Sequence, residues 1–163
     1  TYENIKIIPR KEPILLFVGR LYNKAKKIDY LIDIWQQLYK QCPQWKLVIV
    51  GDGPDKDTLV NKSKDIPGIE FVGRQDPCPY YEKASIFCMT SIFEGFPMCL
   101  TEAMQFGCVP IAFDSFSAVY DIIKSGETGE LVKSFNKKKY VEKLIHLIED
   151  ETYRKKLSKN AFQ

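Results

Sequence analysis

Glu94 and Glu102 have a type and spacing that suit a ligand with hydroxyl groups at two ends. Glu94 precedes a predicted helix over residues 98–106, and Glu102 lies about one turn inside it. Since a helix rises about 1.5 Å per residue, the two carboxylates could contact opposite ends of a ligand of roughly 10 Å. Carboxylates accept hydrogen bonds from vicinal hydroxyls, such as those of a ribose or a hexose. A glutamate in a first turn also complements the helix dipole, so the spacing alone leaves both interpretations open.

The segment between the two glutamates leads into that helix and reads Gly95-Phe96-Pro97-Met98-Cys99-Leu100. A Gly-x-Pro start exposes the first backbone N–H groups of the helix, because they have no partner within it. Such a helix start attracts anions through its free donors and its dipole. We therefore expect the backbone of this segment to face an anionic ligand.

A basic segment follows the first apolar run of the chain, residues 14–18. It starts at Gly19 and Arg20 and continues to three lysines, Lys24, Lys26 and Lys27. A guanidinium and an ammonium directed into one crevice suit an anion with several oxygens, such as a diphosphate. A loop that is basic only because it is solvated would have the same composition, so both interpretations remain.

Secondary-structure elements must bring these residues together. The chain alternates short apolar runs with amphipathic stretches, which indicates what those elements are. Strand-like runs lie at 14–18, 46–50, 69–72, 86–89, 109–113 and 130–132, with helical patterns between them and after them. This alternation predicts an open, doubly wound α/β sheet of about six mostly parallel strands. Ligands bind beyond the carboxyl ends of such strands. Gly51-Asp52-Gly53-Pro54 and Gly73-Arg74-Gln75 follow two of these strands; we interpret the first as a structural turn and the second as a pocket edge.

Composition limits the classes of protein that the chain can represent. With 163 residues, 45% of them hydrophobic, it fits one globular domain rather than a disordered segment. The net charge divides into −2 over residues 1–132 and +5 over 133–163, which argues against a nucleic-acid partner. Five cysteines without a Cys-x-x-Cys pair and a single histidine, His146, favour free thiols, a cytoplasmic setting and no metal site.

Taken in order, the motifs resemble those of one enzyme family. The motifs are strand-Gly-Arg-(x)5-Lys, Gly-Asp-Gly-Pro, Phe-Val-Gly and Glu-(x)7-Glu with Glu94-Gly95-Phe96-Pro97. This set resembles the C-terminal, donor-binding domain of retaining GT-B glycosyltransferases of family 4, also called group 1. The likeness extends from about Pro13 to about Asn160, and the glutamate segment is its most specific part.

The resemblance implies a role for each motif. Arg20 and Lys26, after Gly19, would hold the donor diphosphate and stabilise the leaving nucleotide. Glu94 would bind hydroxyls of the transferred sugar, and Glu102 those of the ribose. The backbone from Gly95 through Phe96, Pro97, Met98 and Cys99 to Leu100 would contact the sugar and the distal phosphate, and the backbone near Arg74 and Gln75 would line the base pocket. No cofactor and no metal is implied, since the nucleotide sugar is itself a substrate.

Two positions depart from the family pattern. Lys26-Lys27 stands where Lys-Gly is frequent, so Lys24 or Lys27 could replace Lys26 as the phosphate ligand. Pro97 stands where many relatives carry glycine, which removes one backbone donor.

The resemblance also implies that a partner is missing. The family pairs this domain with an N-terminal domain that binds the acceptor, so residues 1–12 would be a connector and 13–163 the donor domain. We expect the chain to bind a donor without transferring sugar to its glycan or lipid-linked acceptor. The lysine-rich C-terminal part, which includes Lys137–Lys139, is either a solvated helix start or a surface for peripheral contact with the cytoplasmic face of an anionic membrane.

Two alternatives compete with a transferase domain. One is a nucleotide-binding module of Rossmann type without transferase chemistry; it would need a glycine-rich phosphate loop where Arg20 and the lysines lie. The other is a GT-B enzyme of different chemistry, such as a nucleotide-sugar epimerase. The Glu94–Glu102 spacing favours the transferase.

Overall fold

A six-stranded parallel sheet forms the centre of the molecule in a computed structural model that describes residues 5–162. The strands lie in the order β3-β2-β1-β4-β5-β6, and each pairs in parallel with its neighbours. Their bounds are β1 Glu12–Val18, β2 Lys46–Val50, β3 Ile69–Gly73, β4 Ala84–Met89, β5 Val109–Phe113 and β6 Glu130–Val132. The predicted open, doubly wound sheet is confirmed.

Helices cover both faces of this sheet, as right-handed crossovers between parallel strands require. The helices are α1 Asn23–Lys26, α2 Ile28–Leu38, α3 Lys56–Ser63, α4 Cys78–Lys83, α5 Met98–Gln105, α6 Val119–Ile122, α7 Lys137–Glu149 and α8 Glu151–Phe162. Alternate residues of β1 enter two separate cores: Leu15 and Phe17 pack with α2 and α7, whereas Ile14 and Leu16 pack with α4 and α5. Burial on both faces explains why the strands are continuous apolar runs.

Several predicted boundaries change in the structure. The basic segment after β1 is not simply a loop, because α1 forms within it. The helical pattern before β4 corresponds to only a short helix, α4, which begins at Cys78. The buried side chains of α7 are Tyr140, Val141, Leu144 and Leu147, and the partly buried Ile145 and Ile148 pack against the same core.

The predicted connector is partly outside the described residues. Residues 1–4 lie outside them, and residues 5–11 form neither helix nor strand before β1 begins at Glu12. The first regular element thus begins one residue before the predicted boundary.

The strand order reverses direction between β1 and β4. The chain leaves β1 for β2 and β3 on one side, then returns to β4 and continues to β5 and β6 on the other. The segments after β1 and β4 therefore diverge and leave a crevice at the carboxyl edge of the sheet, where ligands of such folds bind.

Candidate functional site

A cavity of about 570 Å³ lies at the carboxyl ends of β1, β2 and β3. It falls within the size of small-molecule sites, roughly 300–1,000 Å³. Its lining residues are Val18, Gly19, Arg20, Val50, Gly51, Asp52, Arg74 and Gln75. The structure thus brings Gly19 and Arg20 together with Arg74 and Gln75, although more than fifty positions separate the two pairs.

The floor of this cavity depends on close backbone contact. Gly51 has φ +145°, and a Cβ placed on it would lie 1.8 Å from the carbonyl oxygen of Gly19. The Gly19 N–H donates to Val50 O at 3.0 Å. A Cβ on Gly53 would lie 2.6 Å from Leu21 O. The Gly-Asp-Gly-Pro turn therefore has a structural task, which is to let the segment after β2 lie against the segment after β1.

The lysine at the family's glycine position takes the backbone conformation that glycine favours. Lys27 has φ 49° and ψ 47°, and its N–H donates to Asn23 O at 2.9 Å to end α1. The two neighbouring lysines point to different partners. The Lys26 ammonium bonds to Glu94, whereas the Lys27 ammonium lies 5.1 Å from the centre of the Tyr30 ring. Of the lysines after β1, Lys26 is the one that meets the predicted sugar ligand Glu94.

The Lys26–Glu94 ion pair joins the segment after β1 to the segment after β4. The side chains are 23% and 12% exposed, so water screens the pair only partly. The Lys26 Cε lies 3.9 Å from the place of a Cβ on Gly19, which puts the pair beside the cavity. Ser91 Oγ donates a second hydrogen bond to Glu94 Oε1 at 2.9 Å.

Two hydroxyls missed by the sequence reasoning hold this pair in place. The single hydroxyl proton of Thr90 is shared between the carbonyl oxygens of Lys26 and Lys27, which lie 3.0 and 2.9 Å from Oγ1. Ser91 bonds to Glu94, and its own carbonyl oxygen accepts from Ser115 Oγ. The available signal was a pair of hydroxyl residues directly after the apolar run of β4, at the edge where ligands bind.

The start of α5 carries the segment predicted to contact sugar and phosphate. Pro97 is the N-cap residue, and no side chain caps the helix. Phe96 and Met98 are exposed, whereas the Leu100 side chain is buried. The Leu100 N–H donates to Pro97 O at 3.1 Å, which leaves the N–H groups before it as the candidates for a ligand.

Glu102 lies on α5, next to the same group of charges. Tyr81 donates its hydroxyl to Glu102 Oε2 at 3.1 Å, and Tyr81 is itself buried against Phe106. One carboxylate oxygen is thereby fixed, and Tyr81 is a third residue, after Thr90 and Ser91, whose contact with the site the sequence did not reveal.

The thiol of Cys99 marks where the charged side chains converge. Burial raises the pKa of Cys99 to about 11, with the charge of Lys26 lowering it and the charges of Glu94 and Glu102 raising it. All three charged groups therefore lie within electrostatic range of one thiol. A thiol with a raised pKa is a poor nucleophile at neutral pH, so Cys99 is not a candidate for covalent catalysis.

Other site classes find no support within residues 5–162. No cluster of histidine, cysteine and acidic side chains that could hold a metal ion occurs there. None of the helices in the same range is long and apolar enough to cross a membrane. His146 lies on the exposed side of α7, where its ring stacks on that of Tyr153 with ring centres 4.5 Å apart and its Nε2 lies 3.6 Å from Asp150 Oδ2.

The comparison with protein families identifies the class of this chain. The model of the family Glycosyl transferases group 1 matches residues 1–163, so the chain belongs to that family. The resemblance to GT-B glycosyltransferases is confirmed.

Particular relatives and structures are also similar. The amylovoran biosynthesis glycosyltransferase AmsD of Erwinia amylovora is 35% identical over 161 residues, which are 96% of this chain and 44% of the relative. The pneumococcal O-GlcNAc transferase GtfA, solved with UDP and GlcNAc, matches with a TM-score of 0.85 and 25% identity over 95% of this chain and 32% of its own. The C-terminal domain of a group 1 protein, LpcC of Francisella tularensis, matches with a TM-score of 0.82 and 29% identity over 95% of this chain and 84% of its own. The chain spans less than half the length of the curated relatives it matches.

Proposed function

We propose that this chain is the donor-binding domain of a retaining glycosyltransferase, with residues 13–163 binding a nucleotide-diphosphate sugar. The observation that carries the proposal is the Lys26–Glu94 pair, which lies between the basic cavity and the uncapped start of α5. A cation, a carboxylate and a helix start next to one cavity match a diphosphate joined to a polyhydroxyl group. The likeness to an isolated C-terminal domain of the family supports the domain assignment.

The ion pair has a defined use in this proposal. Without donor, Lys26 and Glu94 satisfy each other, which avoids leaving either charge partly buried and unpaired. With donor, Lys26 turns to the diphosphate together with Arg20, while Glu94 accepts hydrogen bonds from sugar hydroxyls. Both groups then keep a partner, so binding does not incur the full cost of separating them.

The nucleotide would occupy the cavity. The backbone near Arg74 and Gln75 lines the base pocket, and the Gln75 side chain is bonded on both sides, to Val72 O at 2.6 Å and from Tyr80 Oη at 2.8 Å. Glu102 takes the ribose hydroxyls with the oxygen that Tyr81 leaves available.

Arg20 and Lys26 stabilise charge on the leaving diphosphate in this proposal, and the chemistry uses no metal. The donor phosphate itself is the candidate base on the sugar face where the new bond forms. Transfer needs a second domain that binds the acceptor, so we propose that these 163 residues bind donor without completing a turnover. We propose a glycan or lipid-linked saccharide as the acceptor, and the similarity to AmsD, an amylovoran biosynthesis glycosyltransferase, supports a biosynthetic role.

Membrane contact by the lysine-rich segment stays a prediction, and its support decreases. Lys137 pairs with Asp33 at 2.9 Å and Lys139 with Glu142 at 3.1 Å, so part of the positive charge is neutralised within the protein. A cytoplasmic location likewise stays a prediction that none of these contacts tests.

The two alternative functions lose support. A Rossmann-type module without transferase chemistry and a GT-B epimerase both predict membership of other families, whereas the group 1 model spans the whole chain.

A thermal-shift panel of UDP, GDP, ADP and their common sugar derivatives tests the proposal. A ligand at 100 times its Kd stabilises the folded state by about 2.7 kcal/mol, which corresponds to roughly 5–10 °C for a domain of this size. Arg20→Ala and Glu102→Ala should each weaken that shift. Lys46→Ala, an exposed lysine at the amino end of β2, is the matched control and should retain it. No shift at millimolar ligand, or a full shift in both site variants, would contradict the proposed site.

A further inference from the structure

The buried hydroxyls of Thr90 and Ser91 directly follow the fully buried strand β4. Thr90 is 0% and Ser91 1% exposed, directly after β4, whose residues are all buried. A hydroxyl in such a place is costly unless it is hydrogen-bonded. The structure shows where each hydroxyl bond goes: one to the segment that carries Lys26, and one to the carboxylate of Glu94.

Thr90 holds the main chain that presents Lys26. Its hydroxyl contacts the carbonyl oxygens of both Lys26 and Lys27, at the point where the backbone changes to φ 49°. The next residue but one, Ile92, donates its N–H to Ala25 O at 2.9 Å. The end of α1 is therefore fastened to the end of β4 at two places, which fixes the base of the Lys26 side chain beside the cavity.

Ser91 holds the side chain of Glu94. That carboxylate lies in a segment without helix or strand, and its Oε1 is held by Ser91 and Lys26. Ser91 is in turn fixed through its carbonyl oxygen by Ser115, which follows β5. The position of the carboxylate thus depends on a hydroxyl anchored from the next strand.

We infer that Thr90 and Ser91 are positioning residues of the donor site, one for the diphosphate end and one for the sugar end. Thr90 places the Lys26 ammonium, and Ser91 aims the Glu94 carboxylate. Neither contacts the donor in this inference, which rests on the roles proposed above for Lys26 and Glu94.

Loss of the Thr90 hydroxyl should weaken binding of both UDP and its sugar derivative, whereas loss of the Ser91 hydroxyl should weaken binding of the sugar derivative alone. Thr90→Val keeps the shape of the side chain and removes its hydrogen bonds, so it should weaken UDP and UDP-N-acetylglucosamine alike, by about three- to tenfold. Ser91→Ala should weaken UDP-N-acetylglucosamine by a similar factor and leave UDP within about twofold, because UDP has no sugar for Glu94 to contact.

Calorimetric titration of the 163-residue chain with UDP and UDP-N-acetylglucosamine measures this split. Thr90→Ser restores a hydroxyl and should recover most of the affinity. Ser63→Ala is the matched control, since Ser63 is a buried serine that bonds to Val60 O within α3, away from the site, and both affinities should remain unchanged. Equal losses for the two ligands in Ser91→Ala, or no rescue by Thr90→Ser, would overturn the inference.

A readout without ligand separates this inference from the proposed function. Hydrogen exchange followed by mass spectrometry should show faster exchange of residues 22–28 in Thr90→Val and unchanged exchange there in Ser63→Ala. A ligand-free crystal structure of Ser91→Ala should show the Glu94 carboxylate displaced. If the wild-type chain bound none of the nucleotides and nucleotide sugars of the thermal-shift panel, the proposed function would fail while these two measurements still decided the positioning roles. Unchanged exchange together with an undisplaced carboxylate would refute those roles.

Discussion

The two ends of the candidate site are built differently. At the pair end, Lys26 and Glu94 are mostly buried and tied by hydroxyls that follow β4. At the pocket end, the side chain of Arg74 is exposed at the edge of an open cavity. Groups that act on the reacting bond gain from a fixed geometry, because reorganisation then costs nothing during reaction. Groups that recognise a remote part of the ligand can adapt.

The two ends should also contribute differently to the electrostatic part of donor binding. A charge shielded from water interacts several times more strongly with a ligand than an exposed one does. Exposed ion pairs contribute only about 0–1 kcal/mol. We therefore expect the pair end to dominate donor affinity and the pocket end to adjust it.

The largest effect should come from the contact that supports both ends. Gly51→Ala would place a Cβ 1.8 Å from Gly19 O at φ +145°, and should destabilise the fold by about 3 kcal/mol or more. Gly73→Ala is the control, because its φ is +77° but no atom lies within 4 Å of its Cβ position; it should lose only about 1 kcal/mol. Urea denaturation measures both, and equal losses would show that the close contact does not matter.

The next largest effect should be on donor affinity, which should fall more when a charge is removed at the pair end than at the pocket end. Lys26→Ala removes a charge-assisted bond to phosphate of about 1.5–3 kcal/mol, so the Kd of the nucleotide sugar should rise about 10- to 100-fold. Arg74→Ala removes an exposed charge and should raise it by no more than about fivefold. Calorimetry of the two variants under identical salt checks the order. A larger loss in Arg74→Ala would reverse the comparison.

The smallest effect concerns the backbone that presents Lys26. Lys27 takes a left-handed conformation, which costs roughly 1 kcal/mol for a residue other than glycine. Lys27→Gly should therefore be more stable than Lys27→Ala by about 1 kcal/mol, although glycine is ordinarily less stable than alanine. Thermal or urea denaturation of the two variants decides the sign. A Lys27→Ala variant more stable than Lys27→Gly would argue against the left-handed conformation.

Much of the fold could be predicted because its signals are local. Continuous apolar runs predicted the strands, and their alternation with amphipathic stretches predicted the parallel sheet. Local signals failed where tertiary contacts determine the structure. The four-residue helix α1 is held by contacts with residues after β4. Tyr140 is buried in the core, where its hydroxyl lies within hydrogen-bond distance of Met89 O and Ile111 O.

The candidate site divides in the same way. The sequence by itself determined the chemical inventory: Arg20, Lys26, Glu94 and Glu102, each following a strand or opening a helix at spacings that resemble a glycosyltransferase donor site. It left open which lysine meets Glu94, and how that carboxylate is held. The tertiary structure decided both. Lys27 takes a left-handed backbone conformation and its side chain lies over Tyr30, whereas the hydroxyls of Thr90 and Ser91 hold Lys26 and Glu94 in place. The contacts of Lys26 with Thr90 and Glu94 join residues more than sixty positions apart, and only packing of β1 beside β4 brings such residues within hydrogen-bond distance.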